Sequence, residues 1–176
     1  ALLGSTVYGG TNAFRVDDTT WGGYASAIQQ TVVNYTDPTI YFAWKAVLEA
    51  AHAVSNAAVM KLTLTDDTTG STLITRLYTA VGTGVDANFN LYNGYYYTPQ
   101  WQIEQLNIDA SLSGHTFTLA VLGSDCQPTG HAGYVYLDGF GATIPDPDPG
   151  VPEPASLALM GVALAGLVGL RRRKTV

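Results

Sequence analysis

A chain of 176 residues with a single cysteine and abundant Gly, Thr, Asn and Tyr has room for one domain of about 140 residues once its C-terminal tail is set aside. The formal charge of −6 hides an asymmetry: four of the eight basic residues lie in the tail, so Ala1 to Pro154 keeps Arg15, Lys45, Lys61 and Arg76 against fourteen acids, a balance of −10. A surface of that sign repels phosphate backbones and excludes nucleic acid as a partner, and the lone Cys126 excludes an internal disulfide framework.

Residues 1–30 are weakly patterned, with Gly9, Gly10, Gly22 and Gly23 as punctuation and a polar turn at Asp17 to Thr20. The chain opens at Ala1 without a methionine, so an export signal upstream is expected, with Ala1 to Leu3 as its trailing edge. The pattern clears at Thr31 to Tyr35, turns at Asp37-Pro38, and continues as a long strand over Ile40 to Glu49 with Phe42, Trp44, Ala46 and Leu48 inward. Val59 to Thr65 alternates, with Met60, Leu62 and Leu64 on one face. A turn over Asp66 to Gly70 then returns the chain along Thr72 to Thr79 as a hairpin.

Ala80 to Tyr97 reads as a long loop or loose strand pair. Trp101 to Ile108 reads as a strand with a bulge, because its apolar positions change phase once. His115 to Leu122 alternates with Phe117, Leu119 and Val121 on one face, and Tyr134 to Phe140 is the last strand. Short alternating strands without a strand-helix-strand rhythm predict a mainly β antiparallel sandwich over 1–143. A stiff linker follows over 144–154, where Pro145, Pro147, Pro149 and Pro152 alternate with acids.

The tail has three parts in order: Val151, Pro152, Glu153 and Pro154, an uncharged apolar run from Ala155 to Leu170, and the cluster Arg171, Arg172, Arg173 and Lys174. The prolines stop any helix from entering the run, which must start its own element. As a helix, 155–170 would rise roughly 24 Å, close enough to the roughly 30 Å hydrocarbon core for snorkelling arginines to close the gap. A transmembrane helix is therefore expected, with 171–176 as a basic cytoplasmic end and Ala1 to Pro154 across the inner membrane.

This tail resembles the PEP-CTERM sorting signal of Gram-negative, exopolysaccharide-producing bacteria. The resemblance implies that Pro152, Glu153 and Pro154 are read by an exosortase, a membrane transpeptidase-like enzyme that removes the tail. A single-pass anchor with an ordinary Pro-Glu-Pro linker is the alternative, and it too puts the body outside the cytoplasm. The closing segment, Asp125-Cys126, Gly130-His131 and Gly133 to Gly141, resembles the end of jelly-roll bodies attached to such signals. It is also similar to the last strand of carbohydrate-binding jelly rolls, which closes on an Asp. That second resemblance implies a structural calcium at Asp138, with Asp17 or Asp18 near the N-terminus.

No catalytic motif stands in the sequence: there is no Gly-x-Ser-x-Gly, His-Glu-x-x-His, phosphate loop or Cys-x-x-Cys. Glu49 and Glu104 have no paired acid on the same strand face, and Glu49 reads as a solvated strand residue. His52, His115 and His131 lie on separate segments, and Cys126 reads as a free thiol. Asp138 is the sharpest position, because a bare carboxylate in an apolar strand is costly unless it is coordinated or caps backbone amides. The cluster Tyr92, Tyr95, Tyr96, Tyr97 and Trp101 offers faces on which sugar rings could stack, with Tyr95, Tyr96, Tyr97 and Trp101 as the candidate residues. Alternate aromatics on a strand also bury one face by default.

The expected protein is an exported, non-catalytic surface or extracellular-matrix protein associated with matrix polysaccharide. A dedicated carbohydrate-binding module and a hydrolase with an unfamiliar site are the rival classes.

Overall fold

The structure is a computed structural model and describes residues 3–17, 19–20, 22–50, 53–126 and 130–143. The linker and the C-terminal tail, including the expected transmembrane helix, lie outside the described residues. Among the described residues no helix is long and apolar enough to cross a membrane.

Among the described residues, ten strands form two antiparallel sheets. In chain order they are β1 (Phe14–Val16), β2 (Ala25–Tyr35), β3 (Thr39–Glu49), β4 (Val59–Asp66), β5 (Ser71–Thr79), β6 (Asn90–Tyr92), β7 (Tyr95–Tyr97), β8 (Gln102–Asn107), β9 (His115–Ser124) and β10 (Gly133–Gly141). One sheet runs β1-β10-β3-β7-β6, with β8 also paired to β3, and the other runs β2-β9-β4-β5. β3 is long enough to take two partners along one edge, β8 on Thr39 to Trp44 and β7 on Val47 to Glu49.

Strand alternation builds the core. Ile40, Phe42, Trp44, Ala46 and Leu48 of β3 face Met60, Leu62 and Leu64 of β4 and Phe117, Leu119 and Val121 of β9 across the sandwich, all of them buried. Each such large side chain contributes about 1.5–3 kcal/mol of transfer free energy. Trp44, Tyr78 and Phe89 stack on one another at the end of this core, with centroids 4.8 to 6.3 Å apart.

Unlike the half-wet strands of an ordinary sandwich, β3 is covered on both faces. Its outward Ala43, Lys45 and Val47 are buried too, because the segment from Leu3 to Gly9 is tied down over the sheet. The Lys45 ammonium donates to the carbonyls of Leu3 and Ser5, Trp101 Nε1 donates to Ser5 O at 3.2 Å, and the amides of Tyr8 and Gly9 donate to Asp138. Burial pushes the Lys45 pKa below its usual value.

One sequence expectation is corrected, one unassigned region is filled in, and the loose strand pair expected before Tyr97 is found. The pairing of β8 with β3 is continuous, without a bulge: Ile103 turns outward and half-exposed, and Glu104 turns inward, where the phase change had suggested an irregular strand. The weakly patterned N-terminal region holds β1 and the first six residues of β2. The stretch after Ala80 closes in a β6–β7 hairpin, whose Asn93-Gly94 turn has positive φ at both residues, 48° and 82°. That is the geometry an Asn-Gly pair favours in a two-residue hairpin loop.

Candidate functional site

The outer face of the first sheet carries a tyrosine-lined groove of about 510 Å³. Strand register sets it up. Tyr134 of β10, Val47 of β3 and Tyr97 of β7 lie in one row across three strands, and Glu49, Tyr95 and Tyr92 form the next row. The small Val47 side chain between two tyrosines leaves a trough, since the flanking strands stand roughly 10 Å apart. Leu3, Gly4 and Thr6 of the N-terminal segment line it as well.

The groove is apolar with hydroxyl tips. Burial, then the charge and hydrogen bond of Glu49, push the Tyr95 phenol above its usual pKa. Burial does the same for Tyr134, whose ring also has the Arg15 guanidinium 6.0 Å from its centroid. Both phenols therefore remain protonated at neutral pH; the Tyr95 O–H is given to Glu49, which leaves its oxygen to accept from a ligand hydroxyl, while the Tyr134 phenol can donate to one. Glu49, expected to be solvated, instead accepts from the Ala132 amide at 2.9 Å and from the Tyr95 phenol.

The pleat divides the aromatic cluster singled out in the sequence. Tyr95 and Tyr97 line the groove together with Tyr92 and Tyr134. Tyr96, paired to Leu48, turns inward and packs on the core. Trp101 is engaged elsewhere, edge-to-face with Tyr8 at 5.8 Å and with the Lys45 ammonium 5.7 Å from its ring. The sequence signal for Tyr134 was the alternation of β10, which places it on the same face as Tyr136 and Asp138.

Asp138 Oδ2 accepts from the amides of Tyr8 and Gly9 at 2.9 and 3.1 Å, so its cost of burial is offset by backbone donors. The N-terminal segment does meet this carboxylate, but with N–H groups, whereas calcium needs oxygen ligands. Asp17 follows Val16, which pairs with Val135, and so sits about four strand positions from Asp138. Asp18 lies outside the described residues. No group of three or more His, Cys, Asp or Glu side chains is placed to hold a metal ion among the described residues, and the donors around Asp138 do not fit a calcium ion.

A second cleft, of about 430 Å³, went unnoticed in the sequence because it joins distant segments. Trp44, Arg76, Tyr78, Asp86, Asn88, Gln102 and Glu104 line it. Glu104, only 8% exposed, is clamped by Arg76 through Nε at 2.7 Å and Nη2 at 2.6 Å, and accepts from Trp44 Nε1 at 3.1 Å. Asp86 accepts from the Tyr78 hydroxyl at 2.7 Å and from the amide and side chain of Asn88. Two carboxylates thus converge, yet all four of their oxygens already accept a hydrogen bond.

His115 and His131 stay apart. His115 Nδ1 is 2.9 Å from Asp66 Oδ2, His131 Nδ1 is 3.1 Å from the buried Cys126 Sγ, and His52 lies outside the described residues. Burial alone would raise the Asp66 pKa. Hydrogen bonds from the Thr69 hydroxyl, the His115 ring and the Thr68 amide, with the charge of His115, outweigh it and hold the carboxyl below its ordinary 3.8. A depressed folded-state pKa contributes stability that is complete above the unfolded value and lost as pH falls through the folded one. Melting temperature should therefore drop between about pH 5 and pH 2, with a shallower slope in Asp66→Asn, as thermal melts across that range would show.

Residues 150–174 match the family model of the PEP-CTERM protein-sorting motif. No curated protein matches the chain in sequence. The fold is similar to that of the carbohydrate-binding module CBM27-1 of Caldicellulosiruptor saccharolyticus, solved with mannohexaose, at 15% identity and a TM-score of 0.40, covering 73% of this chain and 72% of that one. It is similar as well to CBM28, a module specific for non-crystalline cellulose, at 18% identity and a TM-score of 0.36, covering 74% of each chain. The VP2 subviral particle of infectious bursal disease virus is also similar, at 9% identity and a TM-score of 0.34, covering 72% of this chain and 32% of that one.

Proposed function

We propose that this PEP-CTERM-bearing chain is a non-catalytic surface or extracellular-matrix protein: its acidic sandwich is carried outward on a C-terminal transmembrane helix, released from the inner membrane by an exosortase, and held in the matrix through polysaccharide. The sorting motif at 150–174 is the observation that carries this reading, because such a signal marks an exported, membrane-anchored precursor bound for the cell surface. The strand orders β1-β10-β3-β8 and β2-β9-β4-β5 support a jelly roll, two Greek keys folded onto each other. In that reading 144–154 spaces the sandwich from the membrane, and Arg171, Arg172, Arg173 and Lys174 hold the cytoplasmic end.

The tyrosine groove is the natural contact for a sugar chain. Its rings offer faces for stacking and its protonated phenols offer hydrogen bonds, while the net negative body disfavours acidic glycans. Tyr92 and Tyr95 are exposed enough to change without disturbing the core. The double variant Tyr92→Ala/Tyr95→Ala should lose about tenfold in affinity for matrix polysaccharide, the effect of two aromatic contacts worth about 0.5–1.5 kcal/mol each. Affinity electrophoresis of the full chain against polysaccharide from its host reads this directly. Equal migration with and without every matrix polysaccharide removes the glycan contact but leaves the sorting. Hydrolysis is disfavoured because neither Glu104 nor Asp86 has an oxygen left free of a partner within the chain.

A further inference from the structure

Both sheets end on the same side of the sandwich, the first on β1 and the second on β2, which touch each other, and among the described residues no strand pairs with the free edge of β2, most of whose residues are exposed. β2 runs eleven residues without a charge or a proline. Among the described residues it pairs only with β9, so every second residue turns its N–H and C=O outward. Sheet edges are ordinarily guarded by lysine, proline or bulges. Here the guard is a single irregularity after Val32. Beside this edge lies a cleft of about 270 Å³ lined by Phe14, Ile28, Gln29, Gln30, Leu119 and Leu137, with Phe14 69% exposed.

We propose that β2 pairs with β2 of a second copy of this chain, antiparallel about Gln30, to give one continuous eight-stranded sheet across a two-fold axis. Three observations select this partner. Two bodies of net negative charge repel, and the charge-free strip from Ala25 to Tyr35 is where they can approach. The strip is self-complementary: about Gln30, Ile28 falls opposite Val32 of the second copy on the core side, and Gln29 falls opposite Thr31 on the outer side. Apolar residues thus meet apolar ones, and amides meet hydroxyls. The same two-fold brings the exposed Phe14 and its cleft against their equivalents, so one contact covers both the open backbone groups and the apolar opening. A C₂ contact of this kind closes on itself and leaves no growing end. An edge of this length lies near the lower limit of stable interfaces, about 1,200 Å², so association should depend on concentration.

Cysteine crosslinking of the full chain in detergent tests the register. Facing residues of an antiparallel pair have Cα atoms about 4.5–5.5 Å apart, within disulfide reach. Mild oxidation of Gln30→Cys should convert monomer to a covalent dimer that reductant reverses. Leu77→Cys, on the far edge strand β5, and the parent chain with its buried Cys126 should remain monomeric. Adding Thr31→Lys to Gln30→Cys, which sets lysines near one another across the axis, should abolish the crosslink while the fold survives, with the thermal melt lowered only by the loss of the exposed Thr31–Thr118 hydroxyl bond. Absence of a Gln30→Cys dimer, or equal crosslinking of Leu77→Cys, overturns the proposal. Sedimentation of the parent chain serves as a variant-free check: mass rising with concentration supports the pairing, and a monomer throughout overturns it.

Discussion

Replacing Trp44 with alanine is expected to cost about 3–5 kcal/mol, the range for truncating a large aromatic side chain in a packed core. Trp44 is 1% exposed, stacks on Tyr78 and Phe89, and donates from Nε1 to Glu104. Removal leaves a void between the sheets and takes one donor from a buried carboxylate. A domain of this size is stable by only about 5–15 kcal/mol, so the variant should unfold at a much lower urea concentration. A denaturation midpoint within error of the parent's would show that the end of the sandwich is not packed as described.

The second large effect is expected at Glu104. Glu104→Ala removes the acceptor for both Arg76 and Trp44, and leaves a buried indole N–H with no partner in the cleft. Breaking a buried ion pair typically costs about 3–5 kcal/mol. Arg76 is 39% exposed and can turn to water, so about 2–3 kcal/mol is the expectation here. Glu104 and Trp44 share a hydrogen bond, so the double variant should lose less than the two single losses combined. Strict additivity in chemical denaturation would contradict the coupling.

The strands that were legible in the sequence are those whose alternation is strong. β3, β4, β9 and β10 each carry apolar side chains at alternate positions; the inward residues of β3, β4 and β9 were read from the sequence, and β10 was read as a strand. β2 was read from Thr31 only, because Ala25, Ser26, Ala27, Gln29 and Gln30 give no amphipathic signal; β2 is an edge strand with little to bury. Glu104 and Ile103 inverted the expected phase of β8 because Arg76, on another strand, makes an inward carboxylate tolerable.

The groove was half legible. Strand parity alone places Tyr95 and Tyr97 on one face and Tyr96 on the other, but the partners Val47 and Tyr134 come from β3 and β10, and only register brings them alongside. The strap over Lys45 and Asp138 was beyond local reading, since its hydrogen bonds join residues about 40 and about 130 positions apart in sequence. The sorting tail was the reverse case. Its information is held in composition and order over 24 residues, so it could be read with no fold at all.

The central claim is that the tail is a sorting signal which is removed once the sandwich has been delivered. Mass spectrometry of the C-terminus of the surface-associated protein from its native host tests it most directly. The account predicts a terminus near Pro154, and accumulation of the uncut precursor in the membrane when Pro152, Glu153 and Pro154 are all replaced by alanine. Mature surface protein that still ends at Val176 would contradict it and make the tail a permanent anchor.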